Sequence, residues 1–279
     1  MTPDLTIHLI RHGESEANLN KAVNRRLPDH RINLSPVGYA QSVATGIVLA
    51  NDVLDTTGAY TLEGVAAYIS PYARTRQTWV GIKEGMASAF REKASLLPAT
   101  LAADEICNDR MRLQELARNV HHITAKESIH LRELEFGLFD GVPDNELAAT
   151  FPREHGHYDK HKNFEGEFYA RTPSGESRCD VAQRVHQFFG TLLRDHEKHG
   201  VRHALIVSHG VTTRAFAMMW MGLSVEWMEN EPNPGNGSIR SIRGKHWLHP
   251  GTNGYVYGGP HLKVVNDTPT DHREDGCID

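Results

Sequence analysis

One short run in this chain combines residue types that could do phosphoryl chemistry. Residues 11–18 read Arg11-His12-Gly13-Glu14-Ser15-Glu16-Ala17-Asn18. A neutral imidazole can attack phosphorus and hold the phosphoryl group, which splits one hard displacement into two easier ones. Arg11 brings a rigid fork of donors that matches phosphate oxygens. Gly13 lets a ligand come close to the backbone, and Asn18 adds an amide donor. Taken alone, an Arg-His pair has a bland alternative, a structural histidine beside a surface arginine.

Three further runs carry groups that could join it. Ser70-Pro71-Tyr72-Ala73-Arg74-Thr75-Arg76-Gln77-Thr78 would set Arg74 in the first turn of a helix, where anions are already favoured. Arg76 points elsewhere on the same helix. The plain alternative is that both arginines lie on a solvated face. In Ser208-His209-Gly210 a histidine again follows an apolar run and precedes a glycine. His209 could bind phosphate and orient a nucleophile, or be a satisfied core histidine. Leu131-Arg132-Glu133-Leu134-Glu135-Phe136-Gly137 offers two carboxylates. One could protonate a leaving oxygen, given burial or a neighbouring charge that raises its pKa. Otherwise they are surface acids near a turn.

The elements around these runs decide whether they can meet. Leu5 to Ile10 is short, apolar and β-rich, and reads as a buried strand. Asn33 to Ala50 reads as a helix start and helix, with Ser35 as N-cap and Pro36 in the first helical position. Val65 to Ile69 is a second strand, and Tyr72 to Phe90 a helix. Residues 91–126 read as an insertion with a helix around Asp109 to Val120. Ile129 to Leu134 is a strand or an extended approach to a loop. Residues 136–174 read as irregular structure around short helices, the kind of long segment that covers a site. Gly175 to His199 carries an apolar stripe of Val181, Val185, Phe188, Phe189 and Leu192 and is a helix. Ala204 to Val207 is a strand, Val211 to Met221 a helix, and Ser238 to Ile242 a last strand. From Arg243 onward the chain is polar and reads as disordered or wrapped coil, with Trp247, Tyr255 and Tyr257 suggesting that part of it docks. This alternation favours an α/β fold with a largely parallel sheet. Ligands bind such sheets beyond the carboxyl ends of the strands, where His12, Ser70 and His209 all fall. The expected organisation is one domain over residues 1–245, with a pocket-covering segment at 138–174, and a polar extension over 246–279.

Composition narrows the class. The net charge of −5 argues against general nucleic-acid binding, which leaves a basic footprint. It leaves room for a small anionic substrate in one basic pocket. The three cysteines, Cys107, Cys179 and Cys277, are too few and too scattered for a disulfide framework or a cysteine-rich zinc site, and suit a reducing cytosol. No charged leader with an apolar run stands at the N-terminus. No apolar stretch reaches the roughly 20 residues that span a bilayer. A cytoplasmic protein with no membrane partner is expected. Oligomeric state is open, a homodimer included.

Together these runs resemble the histidine phosphatase superfamily, in the branch that also holds cofactor-dependent phosphoglycerate mutases. Arg11-His12-Gly13-Glu14 with Asn18 is similar to the family signature, and Leu34-Ser35-Pro36-Val37-Gly38-Tyr39-Ala40-Gln41 to its first-helix start. Ser70-Pro71 through Arg74 to Gln77-Thr78 is similar to its second element, and Glu133 through Phe136-Gly137 and Phe139-Asp140-Gly141 to its acid-bearing loop. Pro173-Ser174-Gly175-Glu176-Ser177, Asp180, Arg184 and then Ser208-His209-Gly210 complete the order, across residues 7 to 214.

The resemblance implies a three-layer α/β sandwich, a mostly parallel central sheet flanked by helices. It implies that His12 is the phosphorylated nucleophile and that Arg11, Arg74 and His209 surround the phosphoryl oxygens. Asn18 and the backbone of Gly210 would help, and Arg171 of the pocket-covering segment is a further substrate-binding candidate. Glu133 would be the proton donor, because the family's acid sits four residues before the glycine, here Gly137; Glu135 is the alternative. The substrate would be a small phosphorylated metabolite, with no cofactor and no metal. The mutases follow their acid with Arg-His-Tyr-Gly, whereas Glu133-Leu134-Glu135-Phe136-Gly137 is closer to the phosphatases. A phosphatase is therefore expected over a mutase. Two other classes stay in view. His155-Gly156-His157 with His161, and His121-His122, could bind metal, though no His-x-x-x-His with an adjacent Glu supports it. A pseudo-enzyme that binds phospho-ligands without turnover is the other.

Overall fold

The computed structural model describes residues 5–57, 61–97, 103–244 and 256–257. The first apolar run forms strand β1 (Leu5–Arg11), buried along its whole length. A one-turn helix α1 (Glu16–Leu19) and the long helix α2 (Pro36–Thr57) follow. Strand β2 (Val65–Ile69) leads into α3 (Ala73–Leu96), α4 (Ala103–Asn119) and the short strand β3 (Ala125–Glu127). Helices α5 (Asp144–Thr150) and α6 (Pro152–Glu165) lie in the pocket-covering segment. Then come α7 (Arg178–His199), β4 (His203–Ser208), α8 (Gly210–Met221), α9 (Val225–Asn230), β5 (Ile239–Gly244) and β6 (Val256–Tyr257).

These strands make one mixed sheet in the order β3-β2-β4-β1-β5-β6. The four strands β3, β2, β4 and β1 run parallel, while β5 is antiparallel to β1 and β6 to β5. Side chains alternate across a strand, and both faces are apolar. Leu5, Ile7 and Leu9 meet Val185 and Phe188 of α7 and Phe216 of α8 on one face. Ile10, Ile69 and Val207 meet Ile82, Met86 and Phe90 of α3 and Leu113 of α4 on the other. The result is the expected three layers. Each such fully buried side chain contributes about 1.5–3 kcal/mol of transfer free energy. A separate small cluster of Phe139, Leu147, Tyr158 and Ala170 holds the pocket-covering segment together.

Several boundaries differ from the sequence reading. Ser35 does cap α2, its Oγ accepting from the Gly38 N–H at 3.0 Å. The helix continues beyond Ala50 to Thr57. Helix α7 starts at Arg178 rather than near Gly175, because Ser177 and Asp180 form a capping box there. The third strand is Ala125–Glu127, and Ile129–Leu131 is a short 3-10 turn that begins an extended approach. Helix α9 went unread, being six residues long. Within the expected insertion, residues 91–96 finish α3, residues 103–119 form α4 and β3 begins at Ala125, with Leu113, Leu116 and Val120 buried in the second core. The polar tail is not coil throughout, since Val256–Tyr257 pairs with β5; Trp247 and Tyr255 lie outside the described residues. Among the described residues no helix is long and apolar enough to cross a membrane.

Helices α2 and α3 approach backbone to backbone. A Cβ added to Gly85 would stand 1.9 Å from the Val43 carbonyl oxygen, and one added to Gly46 would stand 2.1 Å from that of Ile82. Since α3 carries Arg74 in its first turn, this contact sets where that arginine sits. Overpacking of this kind costs about 1–3 kcal/mol, which outweighs the roughly 1 kcal/mol that alanine gains over glycine in a helix. Gly85→Ala is therefore expected to lower stability by about 1–2 kcal/mol in a urea titration; unchanged or higher stability would show that the close approach is not limiting.

Candidate active site

The strand registers bring the chemical runs to one edge. Arg11 pairs with Ser208 across β1 and β4, and Ile69 with Val207 across β2 and β4. The ladder continues one residue further, with His12 N–H donating to Ser208 O at 2.9 Å and Ser70 N–H to Val207 O at 3.0 Å. A cavity of about 210 Å³ opens there, lined by Arg11, His12, Asn18, Arg74, Glu133 and Gly210 among others.

His12 is buried, and its Nδ1 lies 2.6 Å from the Gly13 carbonyl oxygen. A carbonyl only accepts, so Nδ1 carries the proton and Nε2 the lone pair. The other side agrees, because Arg74 Nε donates to His12 Nε2 at 3.3 Å. Burial holds the His12 pKa well below its ordinary 6.5, with the Arg74 and Arg11 charges adding to the effect. The nucleophile candidate is thus a neutral imidazole with Nε2 toward Arg74. The loop beneath it is fixed by contact with α2 and α3. Gly13 N–H donates to Thr78 Oγ1 at 3.1 Å, and a Cβ on Gly13 would lie 2.1 Å from Gly38 O. Ser35 Oγ donates to Glu14 Oε1 at 2.6 Å.

The cations sit around this imidazole. Arg74, in the first turn of α3, lies 5.0 Å over the Tyr72 ring and forms a two-pronged pair with Asp29, Nη1 to Oδ1 at 2.8 Å and Nη2 to Oδ2 at 3.0 Å. Arg11 Nη1 donates to Pro234 O at 2.6 Å. Arg76 does turn away, onto Glu127 at 2.7 Å. Gly210 opens α8, so first-turn N–H groups with no intrahelical acceptor lie at the cavity wall. Asn18 accepts from Ser15 N–H and Asn236 Nδ2 through its Oδ1, which leaves its NH2 group for a ligand. His209 is fully buried and sits edge-on to His12, ring centroids 5.1 Å apart. Its Nε2 lies 2.8 Å from Ser70 Oγ, while Nδ1 has no hydrogen-bond partner among the described residues and lies 4.0 Å from Glu133 Oε2. His209 is therefore packed behind the wall rather than on it.

Glu133 reaches the cavity with 15% of its side chain exposed. Burial raises its pKa, against the lowering effects of the Leu134 N–H, Arg74 and Arg11. Glu135 is exposed and does not line the cavity. The loop is held from below. Arg184 donates to the carbonyls of His130 at 2.8 Å and Glu133 at 2.9 Å, and pairs with Glu176, whose own N–H donates to Glu135 O at 2.8 Å. Arg171, the further substrate-binding candidate, stands apart from the cavity. It is 59% exposed and paired with Asp180 at 2.6 Å, the acid of the α7 capping box, so it does not line the cavity.

Residues 7–97 and 91–247 match the sequence profile of the histidine phosphatase superfamily (branch 1). The chain belongs to this superfamily. Phosphoglycerate mutase-like protein AT74 of Arabidopsis thaliana is 33% identical over 244 residues, covering 84% of this chain and 63% of that protein. The chain thus spans less than two thirds of that relative's length. The broad-range acid phosphatase DET1 of Saccharomyces cerevisiae is 29% identical, covering 84% of this chain and 83% of that protein. A solved mycobacterial glucosyl-3-phosphoglycerate phosphatase superposes with a TM-score of 0.56 at 20% identity, over 87% of this chain and 92% of that one. The alpha-ribazole phosphatase of Shigella flexneri gives 0.56 at 18% identity, over 85% and 90%. At such identities the two structures speak to the fold. Among the described residues, no group of three or more histidine, cysteine or acidic side chains is arranged to hold a metal ion.

Sequence reasoning missed Asp29 and Tyr72, which bracket Arg74. Neither carries a signal: Asp29 is one acid in the turn-rich stretch Leu27-Pro28-Asp29-His30, and Tyr72 reads as a helix start. Glu133 gives a prediction with a definite sign. A carboxyl whose folded pKa is raised favours the folded state while protonated and weakens it once ionised. Glu133→Gln should therefore unfold at higher urea than the parent at neutral pH, and the gap should close as pH falls toward the ordinary 4.5. A gap that widens on acidification would mean that Glu133 is stabilising as a carboxylate.

Proposed function

We propose that the chain is a phosphomonoester hydrolase working through a phospho-histidine on His12. One observation carries this reading: Nδ1–H is held by Gly13 O while Nε2 keeps its lone pair beside Arg74, in a cavity that Glu133 shares. His12 Nε2 attacks phosphorus in line, the phosphorus–oxygen ester bond breaks, and the Glu133 carboxyl gives its proton to the departing oxygen. The Nδ1–H···O=C bond supports the positive charge that the ring gains. Arg11, Arg74 and the first-turn N–H groups of α8 stabilise the equatorial oxygens, each worth on the order of 3 kcal/mol by analogy with oxyanion donors. His209 backs the His12 ring and faces Glu133 through Nδ1. In the second step the Glu133 carboxylate takes a proton from water, the water oxygen attacks phosphorus, and the phosphorus–nitrogen bond breaks. Inorganic phosphate leaves, with His12 neutral and Glu133 protonated again. The residues need no metal for either step.

The rest of the wall supports a hydrolase over a mutase. A mutase must hold a second anionic group of its substrate. Beyond the reaction centre, Arg178 is held in a buried pair with Glu167 at 2.6 Å and Arg214 donates to the Glu231 carbonyl at 2.6 Å, while Lys21 stands at the exposed rim, 3.6 Å from Asp144. Phe136, Phe139, Val142 and Tyr158 also line the cavity. Such a wall suits a small phosphorylated metabolite whose body is uncharged and partly apolar. The name of the yeast relative, a broad-range acid phosphatase, agrees with this class.

His12→Ala is expected to abolish phosphate release and the trapping of a phosphoryl group on the protein during turnover; undiminished trapping would remove His12 from its role. Glu133→Ala should slow alkyl phosphates by about 10²–10⁴-fold and aryl phosphates with good leaving groups much less. Equal losses on both would take the acid role from Glu133. Activity should survive exhaustive chelation with EDTA, and its loss would favour a metal-dependent enzyme.

A further inference from the structure

Arg74 and Asp29 meet in a geometry that the proposed catalytic cycle cannot leave alone. A guanidinium has five N–H donors. In Arg74, Nη1 donates to Asp29 O at 2.7 Å and to Oδ1 at 2.8 Å, Nη2 donates to Oδ2 at 3.0 Å, and Nε donates to His12 Nε2. Both forks of the guanidinium are thus engaged: the carboxylate holds Nη1 with Nη2, in the way that it or a phosphate takes such a fork, and the Nε side rests on His12 Nε2, the atom that phosphorus must reach. The arginine has little room to offer another edge. Its side chain is 6% exposed and is wedged between the Tyr72 ring and His12.

We propose that the Asp29 carboxylate is an internal stand-in for phosphoryl oxygens, which substrate must displace from Arg74 and which returns to the fork as phosphate leaves. The proposal rests on the phosphoryl-site reading above. Asp29 is the mobile partner of the pair. Its side chain is more exposed than that of Arg74, at 28%, and it stands on a single 3-10 turn, Asp29–Arg31. The stretch just before it is tied to the opposite wall by the exposed pairs Arg25–Glu146 and Lys21–Asp144, which hold it weakly. Charge points the same way. A phosphoryl dianion on Arg74 would lie against the Asp29 carboxylate, and like charges in a partly desolvated cavity separate. The arrangement weakens substrate and product phosphate by a common factor, and so favours product release.

A positioning role for Asp29 would have the opposite signature, since losing it would misalign Arg74 and weaken anion binding. The test titrates inorganic phosphate calorimetrically into the full chain and into Asp29→Asn and Asp29→Ala, with thermal unfolding measured on each. Both variants are expected to bind phosphate about tenfold more tightly, the equivalent of about 1.4 kcal/mol. KM for an aryl phosphate should fall with the Kd. A Kd that is unchanged or higher in a folded Asp29→Asn chain overturns the stand-in role and leaves the phosphoryl site intact. No phosphate binding by any of the three chains, together with no turnover, overturns the phosphoryl-site reading itself.

Discussion

The parallel pairing of β1 with β4 is the constraint on which the site depends. Arg11 stands opposite Ser208, so the residues that follow, His12 and His209, emerge side by side. The register is set by burial rather than by the site. Leu5, Ile7 and Leu9 face α7 and α8, while Ile10 faces α3. A slip of one residue would turn each of these to the wrong layer. The hydrophobic alternation of two strands thereby fixes the relative position of two imidazoles, and β2 adds Ser70 and the start of α3 by pairing on the other side of β4.

Burial also divides the chemical labour. Removing a group from water disfavours its charged form, whatever the sign of that charge. His12 and His209 are consequently held neutral, and Glu133 is pushed toward holding its proton. The arginines act on these groups unequally. They reinforce the neutrality of the histidines but oppose the protonation of Glu133, where desolvation is the larger effect. An imidazole held neutral and a carboxyl pushed toward its protonated form follow, at one cavity, from a single environment. Asp29 tempers the same field by pairing with Arg74, which also donates to His12.

The acid-bearing loop has little regular structure and is held by a buried ion pair. Arg184 of α7 and Glu176 together satisfy the carbonyls of His130 and Glu133 and the N–H of Glu135. Removing one partner of such a pair leaves the other charged and buried, so it acts as a brace more than as a source of stability. Glycine contacts do the same for the other half of the site. Gly13 against Gly38, and Gly46 and Gly85 between α2 and α3, let backbones approach where side chains would hold them apart.

Four of the six strands (β1, β2, β4 and β5), the long helices and the residue types at the cavity were legible in the chain alone. Leu5–Ile10, Val65–Ile69 and Ala204–Val207 are short apolar runs with clear stops, and Pro36 and Ser35 mark a helix start by local chemistry alone. His12, Arg11, Arg74, Gly210 and Asn18 were legible because each follows such a stop, and the structure places all five at the cavity wall. Other assignments were out of reach because they depend on what lies far away in the chain. Which of Glu133 and Glu135 lines the cavity depends on Arg184 and Glu176, which hold the loop so that one carboxylate faces inward and the other lies in water. That Arg171 lies outside the cavity, paired with Asp180, likewise depends on where the fold sets the start of α7. His209 stands behind the wall because β4 ends level with β2, which brings Ser70 to its Nε2. The pairing of Asp29 with Arg74 is invisible until the fold brings together residues 45 positions apart. Residue type and local spacing decide which groups are available; tertiary packing decides which of them face one another, and with what charge.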